Sequence, residues 1–506
     1  MASTRSRWFA LPLLTLSLLF STGVSRAEDA PAGRVPAPSS PMVELLQPIT
    51  RDSLFREADV AWQVVSVRTG EEVFSYQGDK ALHPASTMKI LTAATALHDL
   101  GPAFRFKTEV LTDGKIAPNG DLNGNLYVRG GGDPTFVVEQ LWKVLWDLKL
   151  EGVTRVRGDV IFDEGYLDTS YALPGWDKAE DLERGPSYFP SLSALSINYN
   201  TVALVVGPGA EVGGAARVGL ETPVSDYVEV ESLVKTGAPG SSRWLKIDRE
   251  EVGKTLKFTL TGSIPSESGV RKYYRTVLDP TAHFMAAWEE MSKQVGIAVD
   301  GHYVRGTAPA GGDLVVEHRS PPLSAILMDM NKYSNNFMAE QVLRTLGAEE
   351  GGQPGTTDKG LTAIRAYLSG LGIDESEYTL VNGSGLSRDI DLRPSHLTAV
   401  MVDMAQDQQV GREFGASLAI AGWDGTLWRR LSEEPGMLRG KTGTLDGVHC
   451  LTGYVEGGDG ETYAFAFLVN GFSGSSAKVK RVHDQFAREL LRMSGPAQDA
   501  TASGND

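Results

Sequence analysis

An α+β fold is expected: one five-stranded antiparallel sheet carrying helices, with two β-rich domains inserted into the chain that builds it. Three observations predict it. Residues 61–67 and 72–76, joined at Arg68-Thr69-Gly70, read as an early hairpin. Three further strand-like runs, 438–445, 448–455 and 463–469, stand almost at the other end. Between them lie turn-rich β texture over 106–275 and, from Asp279-Pro280 onward, apolar residues at helical spacing. Hairpin and late strands make one sheet only if the intervening β-rich stretch loops out, and 506 residues exceed what one ordinary core organises.

The elements follow in order. Arg5 and Arg7 precede an apolar run over 8–19 that gives way to Ser25-Arg26-Ala27, so residues 1–27 read as a cleaved export signal. The run is short of the roughly 20 apolar residues a spanning helix needs. No cysteine stands at the junction and no later stretch is apolar enough to span, so no membrane anchor is expected. The proline-rich residues 28–45 read as a flexible leader. Residues 46–105 with 276–495 form the main domain. The inserted region 106–275 is punctuated by Asp113-Gly114, Asn119-Gly120 and Asn123-Gly124, and divides into two nested modules, the inner one about 200–265. Helical spacing marks 283–296, 323–331, 337–346, 361–371, 394–404 and 482–493, and 496–506 read as a disordered tail.

Composition excludes several functions. A formal charge of −16 argues against nucleic acid, which needs a basic footprint. The single cysteine, Cys450, cannot form an intramolecular disulfide and sits in a strand pattern that suggests burial. Gly440-Lys441-Thr442 looks like the end of a phosphate-binding loop, but Pro435 stands where its first glycine is required. There is no H-E-x-x-H, and neither metal nor cofactor is expected.

The chemistry is carried by three short motifs. Ser86 precedes Lys89 by one helical turn at the mouth of an apolar helix ending at Leu100-Gly101-Pro102. A serine hydroxyl is a weak nucleophile until a base takes its proton, and a residue at i+3 shares its helical face. Alone, Ser86 would read as a helix cap, since S-x-x-K also occurs at Ser232/Lys235 and Ser475/Lys478. Ser334-Asn335-Asn336, between two helices, would alone be another cap. Lys441-Thr442-Gly443 would alone be an edge strand with a solvated lysine. A second Lys-Thr-Gly at Lys235 lies in a turn-rich segment and is set aside. Order and context bind the other three together.

The ordered trio S-x-x-K, S-x-N, K-T-G resembles that of penicillin-binding proteins and class A β-lactamases. Longer blocks extend the likeness: Tyr333-Ser334-Asn335-Asn336-Phe337-Met338-Ala339-Glu340, Asn382-Gly383-Ser384-Gly385-Leu386-Ser387-Arg388, Ala421-Gly422-Trp423-Asp424-Gly425-Thr426-Leu427 and Gly440-Lys441-Thr442-Gly443-Thr444-Leu445. So does Ser193-Ala194-Leu195-Ser196-Ile197-Asn198-Tyr199-Asn200 within the insertion. They resemble the class C low-molecular-mass penicillin-binding proteins, the D-alanyl-D-alanine carboxypeptidase/endopeptidases, over about residues 45–493. Asn382 departs from the aspartate of that block.

The resemblance implies a β-lactamase/transpeptidase-like domain with helices on both faces of its sheet, and acyl transfer from D-Ala-D-Ala peptides of peptidoglycan. Ser86 would attack, Lys89 would take its proton, and Ser334, oriented by Lys441, would relay a proton to the leaving nitrogen. Asn336 would hold Lys89 and the substrate's peptide oxygen. Backbone N–H groups of Ser86 and Thr444 would form the oxyanion hole. Thr442, Gly443 and Thr444 would bind the terminal carboxylate with Lys441, and Asp163 loosely matches an amine-binding aspartate of relatives, its other reading being a solvated carboxylate at a strand end. β-Lactam antibiotics would be covalent inhibitors, and the place of action would be the periplasm or cell wall, as a soluble protein. A β-lactamase of the same superfamily is the enzymatic alternative, though no E-x-x-L-N stretch is present. An inactive peptidoglycan-binding scaffold is the non-enzymatic one.

Overall fold

The computed structural model describes residues 41–175, 184–222 and 227–492. The expected export signal, the leader up to residue 40 and the tail lie outside them. Residues 41–45 differ from a flexible leader: Pro41–Leu46 is a helix whose Met42 and Leu46 are buried, because its apolar side closes one face of the main sheet.

That sheet is antiparallel, in the order Ala419–Ile420, Leu438–Leu445, Val448–Glu456, Thr462–Asn470, Asp59–Ser66, Glu72–Tyr76. It has six strands rather than five, the extra one being two residues long and invisible to an alternation pattern. Asp59–Ser66 runs against Thr462–Asn470 with Trp62 opposite Phe467, so both ends of the described chain meet at the sheet centre.

Period-two alternation gives the faces different textures. Trp62, Val64, Phe465, Phe467 and Val469 point to one side, where Trp62 stacks on Phe467 at 4.6 Å and the helix Ala477–Leu491 inserts Phe486. Ala61, Ala464 and Ala466 point to the other. Small side chains there let Pro394–Gln406 lie close to the strands, with Thr398 hydrogen-bonded to Gln63 and Tyr454 donating to the Met401 carbonyl. The same core takes the helix Lys89–Leu100, buried from Lys89 to Leu97 and stopped by Gly101 at φ +76°.

The excursion from this sheet is longer than expected. Lys107–Thr112 enters a second sheet whose far edge is Asp313–Arg319, so the chain returns at about residue 319 and not 275. The reason is packing: Pro280–Val295 buries Phe284, Trp288 and Met291 against Val160, Phe162 and Leu145 of the inserted region. That region is also less purely β than expected. Val138–Leu150 is a helix because Leu141, Val144, Leu145 and Leu148 fall on one face, despite the strand-favouring valines and tryptophans around them. The inner module runs through strands from Thr201–Gly207 to Arg271–Thr276 with its own core around Phe258 and Leu260. The set-aside Lys235-Thr236-Gly237 is a short strand of that inner sheet.

Candidate active site

Ser86 sits in a single 3-10 turn, Ala85–Met88, ahead of the helix Lys89–Leu100. It caps nothing there. Ala85 is at φ +47°, a left-handed conformation that a non-glycine residue holds only under the grip of its surroundings. The grip is visible: Ala85 N–H donates to His83 Nδ1 at 3.0 Å, and the ring's Nε2 lies 2.6 Å from the Ser387 carbonyl.

Lys89 is fully buried and its Nζ has three neighbours: Ser86 Oγ at 2.9 Å, Asn336 Oδ1 at 2.7 Å and the Ser384 carbonyl at 2.7 Å. The amide of Asn336 is oriented by its Nδ2, which donates to the Tyr188 carbonyl at 2.7 Å. Two of the three neighbours therefore accept only. A neutral amine with two N–H bonds satisfies them and keeps its lone pair for the Ser86 hydroxyl. Burial pushes the Lys89 ammonium down to about 7, while Glu340 pulls the other way.

Lys441 is equally buried on the strand Leu438–Leu445, donating to Ser334 Oγ at 2.8 Å and the Thr442 carbonyl at 2.7 Å. Burial and then the nearby Lys89 hold it well below the usual amine range. In Ser334-Asn335-Asn336 the three side chains have separate jobs. Ser334, at φ +60°, faces Lys441; Asn335 caps the helix Asn336–Gly351 by accepting from Met338 N–H at 3.1 Å; Asn336 faces Lys89.

The strand Leu438–Leu445 lies against the serine turn at Gly443. A Cβ there would fall 2.6 Å from the Pro84 carbonyl and 3.1 Å from the Ser86 nitrogen. Ala419–Ile420 pairs with Gly440 and Arg439, and from Lys441 onward that edge has no strand partner among the described residues. Thr442 Oγ1 is 2.8 Å from Thr426 Oγ1, and Thr444 Oγ1 is 2.8 Å from His449 Nδ1. Burial lowers His449 to about 3, so its ring is neutral; with Nδ1 protonated, Thr444 accepts and keeps its own proton for a ligand.

Ser86, Lys89, Ser334, Asn336 and Lys441 are thus brought together, with Thr442, Gly443 and Thr444 on the adjoining strand. Asp163 is not among them. Its carboxylate accepts from Gly165 N–H at 2.9 Å and Ala308 N–H at 2.8 Å, beside Arg129 at 3.6 Å, in a cavity of about 870 Å³ that none of the five lines. Ser384, Glu340, Thr426 and His449 are the neighbours that motif reading missed. Ser384 acts through its carbonyl, which no side-chain pattern reveals. The Asn382 departure is accommodated: Oδ1 accepts from Gly385 N–H at 3.0 Å and Leu386 N–H at 3.3 Å, and Nδ2 donates to the Pro174 carbonyl at 3.1 Å. Among the described residues no cluster of metal-ligating side chains occurs, and no helix is long and apolar enough to cross a membrane.

A serine whose hydroxyl meets a buried amine, beside a second buried lysine on an open sheet edge, defines the class as a serine-type acyl-transfer hydrolase. The chain belongs to the D-Ala-D-Ala carboxypeptidase 3 (S13) family, whose model matches residues 42–490. It is similar to the D-alanyl-D-alanine carboxypeptidase of Actinomadura sp. (strain R39), 34% identical over 502 residues that cover 96% of this chain and 90% of the relative. It is also similar to the D-alanyl-D-alanine carboxypeptidase DacB of Haemophilus influenzae, 27% identical over 440 residues covering 86% and 90%. The crystal structure of penicillin binding protein 4 (dacB) from Haemophilus influenzae superposes with a TM-score of 0.77 at 25% identity, covering 90% of this chain and 100% of that one. The protein is a serine-type D-Ala-D-Ala carboxypeptidase.

Proposed function

We propose that this carboxypeptidase transfers the acyl part of D-Ala-D-Ala-terminated peptidoglycan stem peptides to Ser86 and then to water. Free termini and cross-links are both substrates in this reading, and β-lactams acylate the same serine. The observation that carries it is the 2.9 Å contact between Ser86 Oγ and a Lys89 amine that burial keeps near neutrality.

Ser86 attacks the penultimate carbonyl as Lys89 takes its proton; the serine C–O bond forms, the peptide C–N bond breaks, and D-alanine leaves with a proton relayed by Ser334. Water then repeats the attack on the ester. The Ser86 and Thr444 N–H groups hold the oxyanion, a contribution of about 3–4 kcal/mol for one donor. Lys441, Thr442 and Thr444 receive the terminal carboxylate along the open strand edge, which an extended peptide joins as an added strand. Gly443 keeps that edge close to the serine. Asp163 accepts two backbone N–H bonds that fix its carboxylate at the wall of a separate cavity, where its remaining lone pairs could receive an amine of the substrate. We assign the catalytic domain to both ends of the chain, the looped-out part to two modules, and the site of action to the periplasm or cell wall, in keeping with the signal-like residues 1–27.

Incubation with a fluorescent penicillin should give a stable adduct on Ser86. Labelling that survives in Ser86→Ala would sink the nucleophile assignment. With purified muropeptides, D-alanine release and loss of cross-linked dimers are expected; rapid penicillin turnover without peptide cleavage would point to a β-lactamase instead.

A further inference from the structure

The helix Asn336–Gly351 addresses Lys89 twice. Asn336 does so directly. One turn further, Glu340 is fully buried, and its carboxylate accepts Ser384 N–H at 2.7 Å and Gly383 N–H at 3.1 Å. Those two peptides belong to the turn whose carbonyls face the serine helix: Gly383 C=O accepts the Thr92 hydroxyl at 2.8 Å, and Ser384 C=O accepts the Lys89 amine at 2.7 Å. The turn is therefore clamped between Glu340 on one side and the Lys89–Leu100 helix on the other. Behind it, Gly385 allows a close approach, since a Cβ there would meet the Ala85 carbonyl at 1.9 Å.

The charge state of Glu340 follows from its partners. Burial pushes the Glu340 carboxyl up, while the hydrogen bonds from Ser384 and Gly383 and the charge of Lys89 oppose it and favour the carboxylate. The site accordingly buries two lysines, Lys89 and Lys441, with one carboxylate. Only one positive charge is matched, which leaves the other lysine to be neutral.

We infer that Glu340 is a positioning residue for acyl transfer: it holds the Gly383-Ser384 turn that aims the Lys89 amine at Ser86, and its negative charge balances one of the site's two lysines. This rests on Lys89 being the base, as proposed above. The other ionisable groups nearby are accounted for. Lys441 opposes the Lys89 charge from the strand. Arg344, one turn beyond Glu340, is paired with Asp168 at 2.8 Å. His83 is engaged at both ring nitrogens by Ala85 N–H and the Ser387 carbonyl.

The test is the pH profile of benzylpenicillin acylation, followed by intact mass. The unmodified protein should show a rate that rises with pH. Glu340→Gln removes the charge that favours the ammonium, so the midpoint should move to lower pH by about one unit, while the plateau rate falls about tenfold or more. Glu340→Asp keeps the charge but is too short for both N–H groups; its midpoint should stay while its plateau falls. Thr92→Val frees the other side of the turn without changing charge, and should lower the plateau with the midpoint in place. A Gln midpoint that does not move, or an Asp midpoint that moves as far as Gln, overturns the charge role. A Thr92→Val plateau equal to that of the unmodified protein overturns the clamp, and does so even if Glu340→Gln fails to fold. A profile without any rising limb in the unmodified protein overturns Lys89 as the base, and this inference with it.

Discussion

At Lys89 the cost of burying an amine becomes the source of its reactivity. An exposed lysine is an ammonium at neutral pH and cannot accept a proton. Here desolvation lowers it to about 7, and the two carbonyl-type acceptors take its N–H bonds and leave the lone pair on Ser86. Acylation should therefore rise with pH through about 7 and level above it, because the protonated form below that value has no lone pair to offer. A profile flat from pH 5 to 9 would exclude Lys89 as the base. Residue chemistry also explains how Asn382 holds its turn where the resemblance leads one to expect an aspartate. Its oxygen still caps the turn, and its amide gains the Pro174 carbonyl, a bond that a carboxylate could not donate.

At the scale of elements, the site depends on how closely three pieces of backbone approach. The strand carrying Lys441 touches the serine turn through Gly443, and the strained residues Ala85 and Ser334 face it from two different segments. Gly443→Ala would drive a methyl group into the Pro84 carbonyl, which belongs to backbone and cannot swing aside. The strand should shift off the turn, and benzylpenicillin acylation should fall about a hundredfold while thermal unfolding changes little. An unimpaired rate would mean that the strand and turn can separate without loss. The K-T-G motif was legible as a strand; the need for its glycine was not, because it arises from a contact between residues 84–86 and 443.

For the whole molecule, the sheet's aromatic face creates an acid-sensitive core. His449 and His483 stack at 5.6 Å beneath Phe467, and neither His483 nitrogen has a partner among the described residues. Burial holds His449 at about 3 and His283, in the inserted region, at about 4; His483 lies well below its usual value, through burial and then the neighbouring His449. These folded-state values lie under the unfolded one, so the unfolded chain binds more protons as pH falls below about 6.5, and stability is lost in that direction. His449 and His283 should each cost about 2 kcal/mol between pH 7 and 5, and His483 acts in the same direction. His483→Phe should raise the thermal midpoint and reduce its drop over that range. A drop unchanged from that of the unmodified protein would show that His483 is not among the groups responsible.

Read as a string, the chain already determined its class. The motifs at Ser86, Ser334 and Lys441 announce a serine acyl-transfer site because the chemistry demands those residue types in that order. The hairpin and the three late strands announce the sheet because alternation is a local property of sequence. Helix 138–150 was also locally encoded, in the spacing of Leu141, Val144, Leu145 and Leu148, but its β-favouring residues masked it. Other features were decided only by the folded molecule. The return at about residue 319 depends on Asp313–Arg319 pairing with Lys107–Thr112, some two hundred residues away. Asp163 lies in a cavity that none of the five motif residues lines, accepting from the N–H groups of Gly165 and Ala308. The Ser384 carbonyl and the Glu340 carboxylate entered the site through backbone contacts, which any side chain can accompany. Side-chain identity specifies which chemistry is available; which groups meet, how dry they are and therefore which of them is charged is set by packing between segments far apart in the chain.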